Sequence, residues 1–281
     1  MGHEKLLTEN LPEPALGISR YTLDDRLARE FEHLGGKLHT GKRVSTNDQM
    51  TDGYVWAAGK PRHKKNNQPD WIGLKIHATG ATLDGLHMHS SNSRGQGGYV
   101  GLAQVENQRV NCCGLFHLRP DIRPTEIKQH CDSPAALIMA YAEACGMSEL
   151  LKMMHTWQFD PASFTATAGF TLGHQPAHHS FSLGDAAWLI PPFTGNGMSM
   201  AMESSALAAP WLEAYSIGKI TWTEAETQYQ HHAKEHFHRR MRLSKIMHPL
   251  LFHFPGQSML KASSKAGLLP FQSIFRQLRK P

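Results

Sequence analysis

Residues 181–201, FSLGDAAWLIPPFTGNGMSMA, constrain the fold of this chain more than any other stretch. Phe181 to Leu183 suit a short strand that stops at Gly184. Asp185 then stands at the strand's carboxyl end, where open α/β sheets receive their ligands. Pro191 and Pro192 narrow the following loop, and Gly195 and Gly197 let backbone N–H groups approach a ligand with no Cβ in the way. From Met198 to Leu212 the pattern turns helical, so the loop lies at a helix amino terminus and shares its positive partial charge. Strand, acidic turn, glycine loop and helix, in that order, suit a dinucleotide whose sugar-type hydroxyls meet the Asp185 carboxylate.

Gly184, Asp185, Ala186, Ala187, Pro192, Gly195, Gly197, Ala201, Ser205 and Ala206 fall in this block in a defined order. The block closely resembles the second flavin-binding motif of the FAD-dependent oxidoreductases, which include geranylgeranyl reductases, aromatic hydroxylases and flavin halogenases. The resemblance implies FAD as cofactor, with Gly184 and Asp185 at its ribityl chain. It further implies that Pro192, Thr194, Gly195, Asn196, Gly197 and Met198 face the pyrimidine side of the isoalloxazine, where amides and a helix dipole would stabilise anionic reduced flavin. The Pro-Phe-Thr-Gly-Asn-Gly spelling is nearer the reductase-like branch. A plain strand-loop-helix connection is the bland alternative, and it requires no such ordered run of matches.

A second resemblance lies upstream. Ile18–Leu27, with Arg20 and the Leu23-Asp24 pair, opens a helical pattern through Phe31, followed by Gly35-Gly36 and an extended Lys37–Val44. In the family a similar helix lies beside the cofactor, so Arg20 is carried over as an FAD-side residue and Leu23 and Leu27 as core. The bland alternative for Arg20 is a solvated residue near a helix start. Residues 54–60, YVWAAGK, resemble the strand and turn that close the family's first FAD-domain segment, with Ala58-Gly59 where many relatives have Asp-Gly.

The family's opening strand, G-x-G-x-x-G turn and helix hold the ADP half of FAD. No such segment is present: Gly195-Asn196-Gly197 is followed by Met200 where a third glycine is required. The first 16 residues are too short for a βαβ unit of about thirty residues or more. The expectation is a family member lacking its first part, through a misassigned start, a separate polypeptide supplying it, or decay. Each account predicts weak FAD binding by the chain alone.

Between the two cofactor-side pieces the periodicity changes. Trp71–Ala78, Leu86–His89, Tyr99–Val105 and Arg109–Leu118 alternate as strands, with Glu106-Asn107-Gln108 as a hairpin turn, so an antiparallel sheet is expected. Asp132–Met154 reads as one helix with Pro134 in its first turn, and Phe164–Leu172 as a further strand. The resemblance places this sheet over the flavin as a substrate chamber. The expected fold is therefore α/β (α+β): an incomplete Rossmann-like FAD-binding domain in 1–62 and 178–215, an inserted antiparallel-sheet substrate domain in 63–177, and a helical basic carboxy-terminal region in 216–281.

Composition narrows the partners. No apolar run reaches the roughly 18 residues that span a bilayer, and the amino terminus has no signal-peptide core. The 4 cysteines, Cys112, Cys113, Cys131 and Cys145, show no CxxC spacing, which fits reduced thiols in a cytoplasmic protein. After Glu235 there is no acidic residue, while Arg239, Arg240, Arg242, Lys245, Lys261, Lys265, Arg276, Arg279 and Lys280 follow. Interleaved with leucines and phenylalanines, this tail suits either a peripheral membrane contact or a helical cap packed on the protein, and no nucleic-acid reading module accompanies it.

Histidines are abundant. His232 and His236 could share a helix face and His87 and His89 a strand face, but neither pair brings a third ligand, so no metal is expected. Cys112 and Cys113 point to opposite faces of a regular strand. No catalytic residue is singled out: His77, His87, His89 and Tyr99 could reach a chamber from the sheet, without a partner to complete acid/base geometry. The reading is an FAD-dependent oxidoreductase or monooxygenase acting on a lipophilic small molecule, incomplete at its amino end. The alternatives are a non-catalytic fragment or subunit needing a separate dinucleotide-binding partner, and a peripheral membrane module.

Overall fold

The computed structural model describes residues 7–11, 14–44, 51–59, 71–91, 97–117, 132–168, 181–252 and 254–279. They belong to two units, one of Met1–Asp48 with Trp71–Ala168 and one of Gln49–Asp70 with Gly169–Pro281. The glycine loop thus groups with the carboxy-terminal helices, and the first 48 residues group with the sheet.

The sheet unit holds β1 (Trp71–Thr79), β2 (His87–Ser90), β3 (Gly98–Gln104), β4 (Val110–His117) and β5 (Gln158–Ala168) in the order β2-β3-β4-β1-β5. All neighbours are antiparallel. The expected alternation sets the faces. Leu74, Ile76, Ala78, Val100, Leu102, Val110, Cys112 and Phe116 form one apolar layer against Leu137, Ile138, Tyr141, Leu150 and Met154 of two helices. Fully burying each large aliphatic side chain contributes about 1.5–3 kcal/mol. Phe116 stacks on Tyr141 with ring centroids 5.1 Å apart. Cys112 lies in this layer and Cys113 is exposed on the other face, as the strand reading expects.

Two readings of this unit change here, and one feature is new. The stretch 132–154 is two helices, α2 (Pro134–Ala144) and α3 (Ser148–Met154). Ser133 caps the first, its hydroxyl accepting from the Ala136 amide, and the chain reverses at Gly146, where the Met147 amide returns to the Ala142 carbonyl at 2.9 Å. The last strand begins at Gln158 rather than Phe164, and residues 169–172 of the expected span lie outside the described residues. It also carries a bulge: Lys75 faces Thr165, but His77 faces Asp160. Inside the bulge the Ser163 hydroxyl accepts the His77 amide at 2.7 Å and donates to the Asp160 carbonyl at 2.7 Å, replacing a ladder bond.

Helix α1 (Arg20–His33) forms where expected, but it has no buried residue, and Leu27 is exposed rather than core. Lys37–Val44 is irregular and exposed, because no described strand lies alongside to pair with it. What ties α1 to the sheet is polar. The Glu106 carboxylate, on the β3–β4 turn, accepts from the Ser19 amide at 2.8 Å, the Thr22 hydroxyl at 2.8 Å and Arg109 Nη2 at 3.0 Å. Asn107 and Gln108 at the turn itself have φ of 58° and 56°, the paired left-handed conformation of a tight hairpin.

The second unit is helical. Around a parallel bridge, Trp56 to Ser182, stand α4 (Gly197–Ser216), α5 (Trp222–Phe252), α6 (Phe254–Lys265) and α7 (Phe271–Arg279). Thr221 and Glu224 make a reciprocal capping box at the start of α5. Ala225, Tyr229, Ala233, Phe237 and Met241 recur every fourth residue and bury one stripe of α5 against Met200 and Ala208 of α4. Arg240 is 1% exposed; its Nη1 donates to Glu203 Oε1 at 2.8 Å and its Nη2 to the Arg279 carbonyl at 3.3 Å. His236 Nε2 meets the other oxygen of Glu203 at 2.7 Å, so one carboxylate of α4 joins two side chains of α5. The apolar face of α7 turns onto the protein: Leu278 is buried, and Phe271, Ile274 and Phe275 are partly buried.

Candidate functional site

Phe181 stacks on Tyr229 with ring centroids 4.7 Å apart and lies against Trp222, while the Tyr229 hydroxyl donates to the Ser182 carbonyl at 3.0 Å. These contacts fix the short extended segment that delivers Gly184 and Asp185. The segment is a bridge rather than a full strand, since Trp56 is the one partner among the described residues. Its amide donates to the Phe181 carbonyl and its carbonyl accepts from Leu183.

The chain then makes a 3₁₀ turn, Gly184–Ala186, that carries Asp185. Gly184 has φ 56°, and a Cβ there would meet the Ala201 Cβ at 3.0 Å, so only glycine suits both the backbone and the helix behind it. Its amide donates to the Ser204 hydroxyl at 2.9 Å, and that hydroxyl donates in turn to the Ala201 carbonyl at 2.7 Å. Ser204 is therefore a positioning residue that the motif match passed over in favour of Ser205. Its signal was helical periodicity, one turn beyond Met200 on the buried side of α4.

A second 3₁₀ turn, Pro192–Thr194, closes at Gly195, whose φ of 65° directs the chain into α4. Thr194 braces the turn: its hydroxyl donates to the Pro191 carbonyl at 3.0 Å and accepts the Asn196 amide at 3.3 Å. The amides of Gly197, Met198 and Ser199 belong to the first turn of α4, where a helix has no carbonyl of its own to receive them. Asn196 stands at the cap position without making a side-chain cap bond. A Cβ on Gly197 would lie 3.7 Å from Asp185 Oδ1, so the missing side chain brings the helix terminus beside the carboxylate. Asn196 is fully buried at 0% exposure, and neither Oδ1 nor Nδ2 of its amide has a hydrogen-bond partner. Met198 is exposed at the same terminus.

The structure thus brings Gly184, Asp185, Pro192, Thr194, Gly195, Asn196, Gly197 and Met198 into one region at the start of α4. Arg20 belongs to the sheet unit, where it forms an exposed ion pair with Asp24 at 3.0 Å.

On the sheet, His77 and Tyr99 occupy the face opposite α2 and α3. His87 and His89 do not join them, because the register sets them opposite Leu102 and Val100 of the helix-covered layer. His87 Nε2 contacts Asp84 Oδ1 at 2.6 Å. Burial lowers the pKa of His77, and the charges of Lys75 and Arg109 lower it further against Glu106 and Asp160, so the ring is neutral at pH 7. Burial also pushes Tyr99 above its usual value. Among the described residues there is no group of three or more His, Cys, Asp or Glu suited to a metal ion, and no helix is long and apolar enough to cross a membrane.

No family model matches the chain, and no curated protein matches its sequence. Solved structures do. The flavin-dependent brominase Bmp2 aligns with a TM-score of 0.65 at 15% identity, over 93% of this chain and 70% of that one. The myxobacterial chondrochloren halogenase CndH, an FAD-dependent halogenase, aligns with 0.59 at 12% identity, over 92% and 69%. The flavin-dependent halogenase CmlS aligns with 0.57 at 11% identity, over 91% and 53%. At these identities the likeness is one of fold: mixed helix and antiparallel sheet arranged as in flavin-dependent halogenases.

Proposed function

We propose that this chain is the flavin-facing and substrate-facing part of an FAD-dependent oxidoreductase of the halogenase and monooxygenase kind, acting on a lipophilic small molecule. The observation that carries the reading is the start of α4, where a carboxylate, the first-turn helix amides and the buried, unpartnered Asn196 amide converge on residues that match a flavin motif. A buried polar group left unpaired calls for an explanation such as a bound ligand or water, and the pyrimidine edge of a flavin offers both donors and acceptors. Bound there, FAD would supply the hydride or oxygen chemistry. Asp185 would accept from ribityl hydroxyls. The first-turn amides and dipole of α4 would stabilise negative charge at the pyrimidine edge, and Pro191 and Pro192 would keep the loop stiff.

The ADP half of the cofactor would be held by a dinucleotide-binding βαβ unit outside these 281 residues. Support comes from the parallel bridge between Trp56 and Ser182, since parallel strands are normally found in larger sheets covered on both faces. Exposed Leu27, Phe31 and Leu34, on and just after α1, favour a second reading, a subunit without activity of its own that needs such a partner. The basic tail is read as a helical cap rather than a membrane contact, because the apolar face of α7 already packs on the protein.

The test is the visible spectrum after mixing with FAD and desalting, for the chain alone and with a G-x-G-x-x-G βαβ unit supplied. Flavin retained with the unit and lost in Asp185→Ala is expected. Equal retention by Asp185→Ala, or none even with the unit, overturns the site. Substrate-dependent flavin reduction or reoxidation in the reconstituted protein then separates the enzyme from the inactive subunit.

A further inference from the structure

The second face of the sheet holds two orphaned polar atoms side by side. β1 and β4, interior strands, pair with His77 opposite Asn111 and Lys75 opposite Cys113. Directly opposed residues in an antiparallel pair share a face, with Cβ atoms about 4.5–5.5 Å apart. His77 is 1% exposed, and its Nδ1 is buried without a hydrogen-bond partner. Asn111 Oδ1 is likewise buried and unpartnered. Leaving one such group unsatisfied costs about 1–3 kcal/mol, so two on facing residues are more than incidental packing.

The backbone beneath His77 is held by the bulge. The Ser163 hydroxyl fixes its amide, and Lys75 Nζ, on the same face, donates to the Ser163 carbonyl at 3.1 Å. Beside the pair, β3 contributes only small residues: Ala103 lies opposite Asn111 and Gly101 opposite Cys113. A Cβ added to Gly101 would find only the Cys113 carbonyl within 4 Å, at 3.8 Å, so there is room above that backbone. A rigid polar pair next to the small residues Gly101 and Ala103 has the makings of a ligand-binding end.

The atoms define the ligand chemistry. Asn111 Oδ1 can only accept, so the ligand must donate to it; neutral His77 can present Nδ1 as N–H. A hydroxyl meets both, accepting from His77 and donating to Asn111. A carboxylate cannot donate, and an ether lacks the proton. We propose that His77 and Asn111 form the hydroxyl-binding end of the substrate site, selecting a neutral hydroxyl-bearing molecule, for which phenol serves as the probe. This deepens the reading of the sheet as a substrate face and rests on it, but its test needs no flavin.

Phenol, anisole and benzoate are titrated into the full chain labelled with ¹⁵N-histidine. Phenol is expected to move the His77 Nδ1 resonance saturably, at least tenfold tighter than anisole or benzoate. His77→Phe and Asn111→Leu should bring phenol within about twofold of anisole, with unchanged circular dichroism. His77→Gln, which keeps a donor, should retain part of the preference and serves if the Phe variant misfolds. No phenol-specific shift of His77 up to the solubility limit, or a preference that survives both substitutions, overturns the proposal. Because FAD retention is read separately at Asp185, loss of flavin binding with the phenol preference intact sinks only the cofactor reading.

Discussion

Glu106→Gln is the sharpest probe of how the sheet unit holds α1. The helix buries none of its residues, so its attachment depends on the Ser19 amide and Thr22 hydroxyl that donate to this carboxylate, which Arg109 on the sheet side holds in place. Glutamine keeps the shape and one acceptor oxygen but turns an NH₂ group toward a donor and removes the charge opposite Arg109. Hydrogen bonds to charged groups contribute about 1.5–3 kcal/mol each, and partial exposure screens this one, so a loss of about 2 kcal/mol is expected. At 1.4 kcal/mol per factor of ten, opening of α1 should become about thirtyfold more frequent. Hydrogen exchange with peptide-level mass spectrometry reads it: amides of 20–33 speed up while those of β1 and β4 do not. Unchanged exchange in α1, or a uniform rise across the sheet, would refute the anchoring argument. Acid should mimic the substitution. Hydrogen bonding from Ser19, opposed by burial and aided by Thr22, holds Glu106 at about 2 against an ordinary 4.5. The folded value is the lower one, so the anchor is complete above about pH 4.5 and is lost as pH falls through about 2.

Gly184→Ala combines a left-handed φ with a Cβ 3.0 Å from that of Ala201, and should cost about 2–4 kcal/mol by chemical denaturation; a loss below 0.5 kcal/mol would mean that α4 yields freely. Glu203→Gln leaves the buried Arg240 without its counter-charge and should cost about 3–5 kcal/mol. Burial raises the pKa of Glu203, but hydrogen bonds and charge from Arg240 and His236 outweigh it. That stability is therefore present above the ordinary carboxylate range and is lost as pH falls through the lower folded value; a melting temperature independent of pH between 5 and 3 would contradict it. Cys113, exposed on its face, should be alkylated in the native protein, slowly because surrounding protein atoms desolvate the sulfur and raise its thiol pKa against the opposing charge of Lys75, while the buried Cys112 and Cys145, both pushed up to about 12, stay protected until unfolding. Mass mapping that finds Cys112 labelled first would reverse the two faces of β4.

Local pattern carried the sheet well, because β1, β3 and β4 alternate cleanly and Glu106–Gln108 marks their turn. The glycine loop and α4 were equally legible, since Pro192, Gly195 and Gly197 have few other uses in that order. Nonlocal pairing was not. A bulge filled by Ser163, a helix broken at Gly146 and the cap of Gly184 by Ser204 depend on partners far along the chain or on left-handed backbone that composition does not announce. The histidines of β2 show the same limit: alternation showed that His87 and His89 share a face, but only the register with β3 decides which face it is. Leu27 misled because its helical spacing is that of a core position, whereas the described residues provide nothing for it to pack against.

The bond from Arg240 to the Arg279 carbonyl bears on how the carboxy-terminal region can be manipulated. Cutting the chain before α7 would take away a backbone acceptor from an interior guanidinium and uncover the surface that Leu278 occupies. A tail-deleted protein that stopped floating with anionic liposomes would then report misfolding as readily as lost adhesion. Charge reversal at Lys261, Lys265 and Arg276, all exposed, asks the same question of a protein whose interior is unchanged. For the same reason an affinity tag belongs at the other end of the chain, away from the last turn of α7.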